Sequence, residues 1–135
     1  MKTLSYVLLI KIAVTIIFWC APLLLAPDGL LLLLKMPVPD PSLFRRLLGA
    51  AYLALTVPYW FGYRAARREE YPAAAVWTGI VSNGTACLIL LMYGLTGAWS
   101  ALSVPAHIYL WGSAAATAVL TLAIAFWGPI KQIKR

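Results

Sequence analysis

Acidic residues are scarce. Four Asp and Glu stand against 11 Lys and Arg in 135 residues, and none of the four falls inside an apolar run. That scarcity argues against a proton-coupled carboxylate transporter, which depends on an ionisable acid within the bilayer. Histidine is scarcer still: His107 is alone, so it is a weak candidate as a metal or haem ligand and would need a second ligand from a partner subunit. The two cysteines, Cys20 and Cys87, lie in apolar segments, where a thiol acts as a small hydrophobe, and no structural disulfide is expected. Charged residues make up only 11% of the chain and hydrophobic ones 63%, which leaves too little polar surface to cover a water-soluble globule. The net charge of +7 sits beside apolar runs, not on an aromatic-interleaved basic face, so nucleic acid is excluded as a partner.

Long apolar runs are what the chain has instead. A membrane-spanning helix uses about 20 residues, and the sequence accommodates four, at about 4–26, 43–63, 72–93 and 104–127, within a single integral-membrane domain over 1–135. Pro22, Pro27 and the pair Asp28-Gly29 close the first span. The run from Leu30 to Leu34 is too short to cross and reads as an interfacial piece. Pro37, Pro39 and Pro41 then impose an extended, Pro-rich outer loop before Ser42 caps the second span, which carries Pro58. Pro72 opens the third span and Gly94 and Gly97 end it; Ser103 and Pro105 open the fourth and Gly128-Pro129 stops it. The expected fold is an all-α four-helix transmembrane bundle.

Basic residues near span ends set its direction. Lys2, Lys11, Arg64, Arg67, Arg68, Lys131, Lys134 and Arg135 fall on one side, eight against the three of Lys35, Arg45 and Arg46, together the full 11. Both termini are therefore expected in the cytoplasm of a multi-pass cell-membrane protein, of the bacterial inner-membrane kind. Lys2 followed by an apolar run also resembles a secretory signal. The run is too long, however, Lys11 interrupts it, and no small-x-small site lies near Ala26, so the segment is expected to stay as a span.

Polar residues within hydrocarbon mark candidate sites. Asn83 stands mid-span with Ser82 and Thr85 beside it, and suits a ligand contact or an interhelical hydrogen bond within the stripe Ala75, Gly79, Asn83, Cys87. The sequon Asn83-Gly84-Thr85 is out of reach of glycosylation at that depth. Lys11 lies about 10 Å along the first helix from Leu4, close enough to snorkel to the cytoplasmic face. Arg45 and Arg46 at the outer mouth are either anchors or a clamp for a lipid phosphate under a Pro-rich, leucine-rich lid. In the last span Gly112, Ser113, Ala114 and their neighbours are small on nearly every face, which favours close packing on the third helix or on another chain.

The stretch from Leu43 to Leu53, with Arg46-Leu47-Leu48-Gly49, resembles the start of the second helix in small four-helix bacterial membrane proteins of the DoxX-like kind. The resemblance implies a four-helix fold. The charged positions typical of those helices have no counterpart here, so no functional residue follows from it. Among functions, a non-catalytic homo-oligomer or accessory subunit of a membrane complex leads. A small transporter, channel or lipophilic-ligand binder built around Asn83, Thr85, Ser82 and Lys11 comes second, and a haem or membrane-enzyme subunit third. No acid–base pair or nucleophile set supports catalysis, and no cofactor is expected.

Overall fold

A computed structural model describes residues 1–36 and 42–131. Pro37, Pro39 and Pro41 of the expected loop, and Lys134 and Arg135 of the basic count, lie outside the described residues. The regular structure of the described chain is all helix: α1 is Lys2–Leu25, α2 Asp28–Leu33, α3 Leu43–Arg67, α4 Ala73–Leu95 and α5 Val104–Ile130. Three of them, α1, α4 and α5, are long and apolar enough to cross a bilayer. Helix α3 has the length, with 25 residues, but carries two arginines near each end, Arg45 and Arg46, then Arg64 and Arg67. The outside of the bundle is apolar: Leu88, Val81, Ile108, Leu122 and Phe61 are among many large hydrophobes left exposed. Such a surface suits lipid, not water.

The most extensive pairing is α4 with α5, and α1 lies along α3. The core at one end gathers Leu4, Val7 and Leu8 of α1, Tyr59 of α3, Ala75 and Val76 of α4 and Ile124 of α5. The N-terminal ammonium contacts Glu69 of the α3–α4 turn at 2.8 Å, and Gly128 near the end of α5 backs onto Val76. The start of α1, the α3–α4 turn and the end of α5 therefore share one end of the bundle.

Local chemistry explains the boundaries. Ser103 accepts a bond from the Ala106 amide and caps α5, whereas Ser42 holds the capping position of α3 without a side-chain bond. Helices α2, α3 and α4 each end with a residue of positive φ, respectively Lys35, Glu69 and Gly97. In each case the next residue's amide reaches back five positions: Met36 to Leu31, Glu70 to Ala65, Ala98 to Tyr93. This is the Schellman closure, for which glycine is best suited, and only α4 has one.

Helix α1 changes pitch. Its residues Thr15–Cys20 form a π turn between α-helical segments. Pro22 has no N–H to donate back into this segment. The hydroxyl of Tyr109 on α5 donates to the Phe18 carbonyl there and ties the turn to α5. The π turn also has a positional effect. Residues four apart on an α-helix drift about 40° per step, but a turn bonded i to i+5 rotates less per residue and cancels the drift. Lys11, Thr15, Trp19 and Leu23 thereby share one line facing the bundle interior.

Candidate functional site

That line forms one wall of a chamber of about 330 Å³, to which all four long helices contribute. Tyr52 and Leu55 come from α3, Ser82 and Asn83 from α4, Tyr109 and Ser113 from α5. The volume falls within the range of small-molecule sites, and the walls are mainly apolar with a few converging polar groups, as in such sites generally.

Lys11 is the centre. It is 3% exposed, as is Asn83. Its Nζ donates to Asn83 Oδ1 at 2.6 Å, and stands 5.2 Å from the Tyr59 ring centroid and 5.4 Å from that of Trp19. The amide of Asn83 is oriented for this: its Nδ2 donates to the Gly79 carbonyl of its own helix at 2.9 Å, leaving Oδ1 to face the lysine. Tyr59 is held in turn by a 2.9 Å hydrogen bond between its hydroxyl and Ser82 Oγ. An ammonium has three N–H groups, and the described residues supply one oxygen and two aromatic faces. Among the described residues, no lining side chain is acidic.

Two hydroxyls of the wall are also poorly served. Thr15 is 1% and Ser113 6% exposed. The Ser113 hydroxyl neighbours that of Tyr109, yet neither it nor Thr15 Oγ1 makes a hydrogen bond of acceptable geometry. Thr117, by contrast, bonds the carbonyls of Ser113 and Ala114 at 2.9 Å. Buried polar groups are nearly always paired, so these exceptions beside a cavity mark it as a place for a polar atom.

The expectation that Lys11 snorkels is overturned: its side chain turns inward to Asn83, across 72 residues of sequence. Ser82 and Asn83 do line the chamber, but Thr85 is exposed on the far side of α4. Two residues along a helix rotate a side chain by about 200°, which takes Thr85 away from Asn83. Arg45 and Arg46 likewise diverge and do not form a joint clamp. Arg45 is buried, donating from Nη1 to the Ala26 carbonyl and from Nη2 to Asp28, both at 2.6 Å, while Arg46 is exposed. Arg45 thus ties the end of α1 and the start of α2 to α3. His107 is half-buried, with Nδ1 3.1 Å from the Ser103 carbonyl, and the described residues hold no cluster of three or more metal-ligating side chains. Thr15, Trp19, Tyr52 and Tyr109 join the site without having been named as site residues from sequence, as does Ser113, which was read there only as a small packing residue. The four-residue spacing from Lys11 through Thr15 and Trp19 was the signal that pointed to the first two.

A second, more apolar cavity of about 560 Å³ lies under α2, lined by Leu30, Leu31, Leu34 and Phe44 among others. It shares Leu23, Met36, Leu48 and Tyr109 with the chamber. The two are adjoining rooms.

No family model matches the chain. Nor does any curated protein or solved structure. The DoxX-like resemblance therefore rests on the Leu43–Leu53 stretch alone.

Proposed function

We propose that the chain is a four-span membrane protein with both termini cytoplasmic that binds a lipophilic small molecule, holding its polar end against Lys11 and Asn83. The observation that carries this reading is a buried lysine with no acid among the described residues of its chamber, beside unpaired hydroxyls and apolar walls. A buried charge needs a partner of opposite charge, and among the described residues Lys11 has only the Asn83 amide oxygen and two aromatic rings. The excess of basic residues at the end that holds Met1 and the α3–α4 turn supports the orientation. The arginine-flanked α3 serves as the remaining span, its cations lying near the two interfaces and its middle against α1. Binding is the reading we favour over catalysis, because the described lining brings neither a carboxylate nor a histidine to Lys11 to act as its acid–base partner.

Native mass spectrometry of protein released from membranes tests this. Wild type is expected to keep a lipophilic adduct that Ala86→Trp, which fills the chamber, loses while melting at a similar temperature. Wild type without an adduct, or an adduct unchanged in the folded variant, contradicts the reading.

A second reading, as a homo-oligomer or accessory subunit, is favoured by one face of α5. Gly112 and Ala115 are exposed, and nothing lies within 4 Å of where a Gly112 side chain would start. A close helix–helix approach needs small residues of this kind. The same mass spectra, showing two chains or a further subunit, would favour it.

A further inference from the structure

We infer that the occupant of the chamber is a single-chain lipophilic acid, its carboxylate against Lys11 and its hydrocarbon chain running into the apolar cavity under α2. The inference rests on the binding role proposed above and specifies the ligand's chemistry.

Charge is the first argument. A neutral lipophile would leave the Lys11 ammonium with one amide oxygen and two rings, whereas a carboxylate supplies the missing negative charge and two acceptor oxygens. Thr15 Oγ1 and Ser113 Oγ, unpaired in the same wall, are donors of the kind a carboxylate accepts from. The acids among the described residues are elsewhere: Asp28 is bonded to Arg45, Glu69 to the N-terminus, and Glu70 lies in the α3–α4 turn.

Depth is the second. Lys11 lies nine residues beyond Lys2, about 13 Å along α1, and so well inside the apolar layer. A phospholipid phosphate stays at the interface, where Arg45 is already held by Asp28 and the Ala26 carbonyl. Only a molecule whose polar end is small enough to enter the hydrocarbon region reaches Lys11.

Shape is the third. The chamber ends at Leu23, Met36, Leu48 and Tyr109, and the same four side chains border the second cavity. Beyond them the lining is leucine, phenylalanine, proline and alanine, apart from Arg45, whose guanidinium is bonded to Asp28 and the Ala26 carbonyl. A polar pole leading to an apolar extension is the outline of a chain with one acidic end.

The test uses the purified full chain in lipid nanodiscs with a fluorescent long-chain polyene acid as probe. The displacing ligands are a saturated long-chain acid, its methyl ester and the alcohol of equal length. The acid is expected to displace the probe at a concentration about tenfold or more below that of the ester or alcohol, the ratio expected of a charge-assisted hydrogen bond. Lys11→Gln should remove that preference while keeping the affinity for the ester. Equal displacement by all three overturns the acid while leaving the lipophile-binding reading standing, as does a folded Lys11→Gln protein that still prefers the acid. Failure of probe and every competitor to bind a protein with an intact melting transition overturns both.

Discussion

Asn83→Leu is expected to destabilise the protein by about 3 kcal/mol, several times the ~0.6 kcal/mol average of an interhelical hydrogen bond within a membrane. The difference comes from what remains behind. Asn83 Oδ1 is the one oxygen bonded to Lys11 Nζ, at 2.6 Å, so leucine there strands a buried ammonium instead of merely deleting a bond. Adding Lys11→Met removes the stranded group, and the double variant is expected to return to within about 1 kcal/mol of wild type, because an apolar pair of similar volume replaces a buried polar one at little cost. Unfolding of the four proteins in mixed micelles gives the coupling energy of the cycle directly. An Asn83→Leu loss under about 1 kcal/mol, with no recovery in the double variant, would mean that Lys11 finds water by another route.

Gly62→Ala should also be costly, although alanine ordinarily favours a helix over glycine. A Cβ at Gly62 would overlap the Cβ of Ala75, which is attached directly to the α4 backbone and cannot swing aside. Helices α3 and α4 must separate, with an expected loss of about 1–3 kcal/mol. Gly112→Ala on α5 is the control, since its Cβ would meet nothing within 4 Å, and it should leave stability unchanged or slightly raised. The opposite signs, read in the same unfolding assay, separate close approach from helix propensity. Equal effects at the two sites would deny the tight α3–α4 crossing.

Much of the helical framework was legible because proline, glycine and capping residues act locally. Ser103 and Pro105 mark the start of α5, and Gly97 adopts the positive φ that closes α4. The stripe Ala75, Gly79, Asn83, Cys87 turned inward as its four-residue spacing implied. The site was less legible because its central contact is not local. Distance along α1 said that Lys11 was within reach of the interface, but not that Asn83, Tyr59 and Trp19 would surround it. The angular position of a residue on its helix was the neglected variable. One residue, about 100° of rotation, separates buried Arg45 from exposed Arg46, and two separate Asn83 from Thr85. The π turn of α1 was invisible to a reading in α-helical steps, and it is what keeps Thr15 and Trp19 in line with Lys11.

Lys11 faces the chamber between the helices and not the interface, and amine footprinting in membrane vesicles permeabilised so that both faces are open addresses that placement directly. With a charged, water-soluble acylating ester, Lys2, Lys35 and Lys131, all exposed, should be modified rapidly, while Lys11, 3% exposed, stays unmodified until the protein is denatured. Modification of Lys11 at the rate of Lys2 would place its amine in interfacial water and contradict the chamber.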